Sequence, residues 1–290
     1  MLATIAGLLL VLLLEGDPPK SPLERLGLLD AHELPEASGI VKSRRFPDIF
    51  WIHNDSGNAP RLYAVRSDGT IVRRYKIEIP NVDWEDIAMD DEGHLYIGDI
   101  GNNAGRLPIR AIYQLAEPDP AKPAESPVKA LKAWFYRFDH DDRFDAESLC
   151  IDRGQALLVA KTFDGRNAEL YSLPLDKPAS FFKPAIPRKI GRLDRFNVPA
   201  TGADLSADGE WLAVCSSTKT LVYQRTSPNL QGRPEPSNQI WKLEAEVEYP
   251  GWAVEAICWD ARDLVLAGED RRICRLTEST WRSRSGSGAK

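Results

Sequence analysis

The stretch Val82-Asp83-Trp84-Glu85-Asp86-Ile87-Ala88-Met89-Asp90-Asp91-Glu92-Gly93-His94-Leu95-Tyr96-Ile97-Gly98-Asp99-Ile100-Gly101-Asn102-Asn103 decides the fold. A short apolar run starts at Glu85 and Asp86, a turn falls at Asp90 to Gly93, a second run covers Leu95 to Gly98, and a polar exit follows. That order predicts a β-hairpin. The unit recurs. Glu147 opens a run to Ile151, followed by a turn at Asp152 to Gly154 and a strand from Ala156 to Ala160. Glu255 opens a run to Trp259, followed by Asp260 to Asp263 and Leu264 to Gly268. In each copy the residue fourteen after the glutamate is charged: Asp99, Lys161 and Glu269.

Two looser copies complete the set. One starts at Glu36, where Arg44 to Pro47 lengthen the hairpin so that Asn54 takes the second slot; the other has Ala203 in the glutamate's place, Asp204 one residue later and Ser217 in the second slot. Starts at 36, 85, 147, 203 and 255 are 49, 62, 56 and 52 residues apart. That period suits a propeller blade and exceeds a leucine-rich or ankyrin repeat. The expected fold is all-β: a β-propeller of five blades, each of four antiparallel strands, with six blades as the alternative if a long loop hides a degenerate one. No window has the apolar spacing of a long helix.

The last repeat has only three strand-like segments, Val254 to Trp259, Leu264 to Ala267 and Arg272 to Leu276, whereas the segment 26–34 near the other end belongs to no repeat. A ring of blades buries its open edge when one terminus supplies the strand that the other lacks. The 26–34 strand is therefore expected to pair with Arg272 to Leu276. The proline-bearing stretches 117–127 and 227–237 read as solvated loops.

Composition bounds the function. The chain has 290 residues, 43% hydrophobic and 28% charged, with net charge −6. One propeller domain is expected over 21–280, with a flexible tail at 281–290. The acidic balance argues against nucleic acid, whose phosphates need a basic face. Residues 1 to 14 are uncharged and apolar, then Glu15 to Pro22 turn polar. Such a run, within a leader at 1–20, suits a signal peptide of a periplasmic or extracellular protein, or a retained membrane tether, but falls short of a comfortable bilayer span. The four cysteines, Cys150, Cys215, Cys258 and Cys274, lack Cys-x-x-Cys spacing and read as small buried apolar residues.

In a propeller the first strand of each blade lines the central channel, so a residue repeated at its start forms a ring. The expected ring is Glu36, Glu85, Glu147, Asp204 and Glu255. Converging carboxylates repel, and a bound cation relieves them. Hard oxygen donors suit Ca²⁺ or Mg²⁺. The competing expectation is that repeated acids bind backbone N–H groups of the next blade and fix the ring. Around the rim the sequence places His53, Asn54, Asp55, Asn58, Asp99, Asn102, Asn103, Lys161 and Glu269 as ligand-binding candidates. Lys161 would balance the acids or hold an anionic group, and Trp84 and Trp252 would wall a pocket. His53, Asp55 and Ser56 are too close in sequence to converge as a hydrolytic triad. No P-loop, Rossmann fingerprint, Gly-x-Ser-x-Gly elbow or His-Glu-x-x-His is present.

The stretches from Glu36 to Ile40, Asn54 to Gly57, Asp83 to Ala88 and Tyr96 to Asn103 resemble exported bacterial β-propellers of the broad phytase-like, gluconolactonase-like and NHL-type group, over roughly 34–270. The resemblance implies a Ca²⁺-type metal in or near the channel and, in the enzymatic members, hydrolysis of phosphate or lactone esters. The chain departs from the phytase and lactonase members in having five units where they have six. The expected function is a monomeric propeller binding a small molecule or protein loop at an acidic, cation-binding channel. A metal-dependent hydrolase is the alternative.

Overall fold

A computed structural model describes residues 21–123, 127–138, 145–226 and 240–285. The leader at 1–20, the whole loop 227–237 and the last five residues of the tail lie outside them. Each repeat is a separate four-stranded antiparallel sheet. After β1 (Glu24–Leu28), blade one runs β2 (Ala37–Lys42), β3 (Phe50–Asn54), β4 (Arg61–Val65) and β5 (Ile71–Lys76). Blade two is β6 (Trp84–Met89), β7 (His94–Asp99), β8 (Arg110–Ala116) and β9 (Ala130–Tyr136). Blade three is β10 (Ala146–Asp152), β11 (Gln155–Ala160), β12 (Glu169–Pro174) and β13 (Arg188–Arg192). Blade four is β14 (Gly202–Leu205), β15 (Trp211–Ser216), β16 (Lys219–Arg225) and β17 (Trp241–Glu248). Blade five is β18 (Val254–Asp260), β19 (Asp263–Gly268) and β20 (Arg272–Leu276), completed by β1.

The closure is as the sequence predicts, but the strand is shorter than the expected 26–34, starting at Glu24 and ending at Leu28. Glu24 faces Arg275 and Leu28 faces Arg272, antiparallel, with a register shift between Arg25 and Gly27. The five-blade count stands over the six-blade alternative among the described residues.

The core explains why the first strands read as unbroken apolar runs. Five clusters of buried side chains lie at the junctions between neighbouring blades: Trp51, Leu62, Trp84 and Ile97 join blades one and two, and Leu29, Ile40, Ala256 and Ile273 join blade five to blade one. Every residue of β6 is buried because a blade packs on each of its faces, while the outer strand β5 buries only Tyr75. The four cysteines are buried and unbridged within these strands.

Two expectations need correction. The stretch beginning at Glu117 is no freely solvated loop: Pro120 is buried, Tyr75 donates to the Asp119 carbonyl at 2.9 Å and Trp51 Nε1 donates to Glu117 at 2.8 Å. The propeller also does not end at 280. Helix α1 (Glu278–Arg282), capped by Thr277, seats a fully buried Trp281 beside Trp211 and Trp259, and its indole N–H donates to the Arg262 carbonyl at 3.0 Å.

Candidate functional site

Four of the five inner strands carry the same irregularity near their start. Pairing skips one residue between Ala37 and Gly39, between Trp84 and Asp86, between Ala146 and Ser148, and between Val254 and Ala256. The skipped residues are Ser38, Glu85, Glu147 and Glu255. A bulge re-aims its extra side chain away from the ladder, and here it does so at equivalent places in four blades. Blade four pairs without the skip.

This register reassigns the predicted ring. Glu85, Glu147 and Glu255 share the bulge position, but Glu36 lies two residues before it, at the place of Asp83 and Asp145. The hydrogen bonds confirm the alignment: Asp55 N–H donates to the Glu36 carbonyl, Ile100 to Asp83, Lys161 to Asp145 and Glu269 to Ala253, at 2.9, 3.1, 2.9 and 3.2 Å. Glu36 is exposed and accepts from Asn58 Nδ2 at 2.7 Å. Asp204 does not join the ring either. Its Oδ2 accepts from Trp259 N–H at 2.8 Å and its Oδ1 from Leu205 N–H at 2.8 Å, so it ties blade four to blade five.

The second slot shifts too. Asp55, Lys161 and Glu269 occupy one position, whose counterpart in blade two is the buried Ile100. Asp99 stands one place earlier with Asn54, because the turn in blade two is one residue longer. Both act on backbone: Asp99 Oδ1 accepts from Asp83 N–H at 2.6 Å, and Asn54 Oδ1 from Glu36 N–H at 3.3 Å.

Asp55, Asp83 and Glu85 bring one carboxylate oxygen each within 4.8 Å of one another. Glu85 is 3% exposed, and its Oε1 is buried with no hydrogen-bond partner among the described residues. Gly101 makes room for it: a Cβ there would collide with Glu85 Oε1 and lie 2.6 Å from Asp83 Oδ2. Burial, reinforced by Asp55, Asp83 and Asp145, pushes the Glu85 carboxyl up to about 10, with Lys161 opposing. Burial also raises Asp83 and Asp145. It pushes Glu255 up to about 7, with Glu269 adding repulsion and Ser217 donating to its Oε1 at 3.3 Å.

Lys161 stands among these acids. Its ammonium pairs with Glu147 Oε1 and donates to Asn103 Oδ1 at 3.2 Å, and the exposed ring of Phe163 lies 5.6 Å away. Asn102 is a scaffold: its Oδ1 accepts from Arg106 and Leu107 N–H at 2.8 and 2.7 Å, and its own N–H donates to Asp145 at 2.7 Å.

Three predicted rim residues are elsewhere. His53 is fully buried, edge-on to Trp84 with ring centroids 5.5 Å apart, so both belong to the junction between blades one and two. Trp252 is half-buried under the Arg272 guanidinium, 3.5 Å from its ring centre. Conversely, Asp83 and Asp145 were missed as members of the cluster. The available signal was Asp-x-Glu, repeated at Asp83 to Glu85 and Asp145 to Glu147.

Fold and site define a five-bladed β-propeller whose inner-strand bulges gather carboxylates around one lysine. No family model matches the chain, and no curated protein matches it. Among solved structures it is similar to a gluconolactonase from Xanthomonas campestris, 11% identical over 88% of each chain with TM-score 0.44. It is also similar to glutaminyl cyclase from Myxococcus xanthus, 12% identical over 87% of this chain and 94% of that one with TM-score 0.48. A third, virginiamycin B lyase from Staphylococcus aureus, is 13% identical over 82% and 65% with TM-score 0.37. The likeness is one of fold; the chemistry rests on this chain's own residues.

Proposed function

We propose that this propeller binds a ligand through a divalent cation held by Asp55, Asp83 and Glu85, with Lys161 receiving an anionic group of that ligand. The observation that carries the reading is the buried, unpartnered Oε1 of Glu85 facing two further carboxylates in a space kept open by Gly101. Three close carboxylates without a counter-ion are costly, and a hard cation is the partner that oxygen donors fit. Ca²⁺ suits the set better than Mg²⁺, because it tolerates irregular geometry and completes its shell with ligand oxygens and water. When bound, such an ion supplies a Lewis-acid contact to a phosphoryl, carboxyl or carbonyl oxygen.

Binding only to the folded state adds about 2.7 kcal/mol at a hundred times Kd, a rise in melting temperature of about 5 °C for a chain of this size. Ca²⁺ is therefore expected to raise the melting temperature and chelator to reverse it. Glu85→Gln and Gly101→Ala should each remove most of the rise, the first by loss of charge and the second by filling the space. Melting that ignores Ca²⁺, Mg²⁺ and chelator alike would rule the site out. Turnover of phosphate esters or lactones only with Ca²⁺ would convert the binding reading into the hydrolase.

A further inference from the structure

On the outside of the ring, between β12 and β13, the chain makes an excursion that the carboxylate site does not explain. Residues Ala179 to Ala185 lie along the edge of blade two: Phe135 N–H donates to the Ala179 carbonyl at 3.0 Å, Ala185 N–H to Phe135 at 2.8 Å and Arg137 N–H to Ala185 at 3.0 Å. Between these anchors the chain reverses in a tight turn closed by Lys183 N–H to the Ser180 carbonyl at 3.0 Å. The two central residues are Phe181 and Phe182. Turn centres favour Gly, Asn, Asp and Pro, so backbone geometry gives no reason for two aromatic rings there. Phe182 is 95% exposed, the most exposed large apolar side chain among the described residues, and Phe181 is 53% exposed. Phe181 rests edge-on against Phe135, centroids 5.8 Å apart, and Phe182 edge-on against Phe181 at 5.7 Å, so the rings stand outward on a firm base.

The surrounding charge identifies the partner. The chain as a whole is acidic, yet residues 176–189 hold one acid, Asp176, against four bases, Lys177, Lys183, Arg188 and Lys189. Lys177, Lys183 and Arg188 are exposed, and none is in an ion pair among the described residues. Exposed aromatic rings on a rigid turn, flanked by unpaired lysines, match the chemistry of a bilayer interface: rings enter the headgroup layer while ammonium groups meet lipid phosphates.

We infer that the Phe181–Phe182 turn docks this propeller peripherally on an anionic membrane surface. The test uses the full chain carrying Phe182→Cys labelled with an environment-sensitive fluorophore, which the four buried native cysteines leave selective. Phosphatidylcholine vesicles with phosphatidylglycerol should shift the label's emission to the blue, and added salt should weaken the response. Lys177→Glu with Lys183→Glu in the labelled chain should lower the apparent affinity by about tenfold or more. In unlabelled protein, Phe181→Ser with Phe182→Ser should reduce co-sedimentation with the same vesicles to a comparable degree. No blue shift, or an equal shift with pure phosphatidylcholine, would overturn the inference. So would a shift that grows with protein concentration in the absence of lipid, which would make the turn a contact between copies.

Discussion

Asp86→Ala is expected to destabilise the propeller by about 3–5 kcal/mol, read as a lowered midpoint of denaturant unfolding. The Asp86 side chain is fully buried, and its carboxylate accepts from Ile87 N–H at 2.8 Å, Leu149 N–H at 2.9 Å and Ala203 N–H at 3.3 Å. It therefore ties β6 to the inner strands of blades three and four at once. Alanine leaves those donors buried without a partner. Burial pushes the Asp86 carboxyl well up while the three amides favour its anion. Asp86→Asn, which keeps the acceptor oxygen but brings an amide group into the same space, should cost less than alanine. Asp204→Ala should cost less as well, since among the described residues only Leu205 and Trp259 donate to that carboxylate. A midpoint within about 1 kcal/mol of wild type for Asp86→Ala would show that blade packing alone holds the ring.

The second large effect is a stability that falls with rising pH and is rescued by calcium. Glu85 is pushed from an ordinary 4.5 up to about 10, chiefly by burial. Between those values the folded protein keeps a proton that the unfolded chain has released, so stability declines as pH rises. Other groups bound the useful window. Acids held below their ordinary range, such as Glu169 at about 2, have given their full contribution by about pH 5. Burial lowers His53, which makes stability rise with pH only until about 6.5. The buried cysteines, raised by burial from an ordinary 9.0, enter above about pH 8, where unfolded thiols begin to ionise. Between about pH 7 and 8 the slope belongs to the buried carboxyls, and one retained proton is worth about 1.4 kcal/mol per pH unit.

Metal-free wild type should therefore lose stability across that window more steeply than Glu85→Gln, by roughly the slope of one proton. Saturating Ca²⁺ should flatten the wild-type slope, because the cation takes the place of the proton, and its melting shift should grow with pH. Equal slopes for wild type and Glu85→Gln would show that Glu85 ionises freely in the folded protein.

Much of this was legible in the chain itself. The hairpin from Glu85 to Asp99, repeated at Glu147 and Glu255 and more loosely at Glu36 and Ala203, carried blade number and strand order, since short apolar runs bounded by turn residues are local signals. The three-stranded last repeat and the orphan segment before Glu36 carried the closure, because an unpaired edge in a ring has one available partner. The glutamates at 85, 147 and 255 were readable because repetition places equivalent residues at equivalent points of a ring.

What the sequence left open turns on single-residue offsets. Counting fourteen residues put Asp99 beside Lys161, whereas a turn one residue longer in blade two puts Ile100 there and moves Asp99 onto the Asp83 amide. The longer turn of blade one, three residues beyond that of blade three, hid that Glu36 matches Asp83 and that Ser38 matches Glu85. A strand's side chains alternate between faces, so an offset of one exchanges core for channel, and only the pairing register resolves it. Convergence was decided in the same way: Asp55 comes from blade one, Asp83 and Glu85 from blade two, and Lys161 and Asp145 from blade three. Their sequence separation holds no distance information until the ring closes and brings the strand starts together.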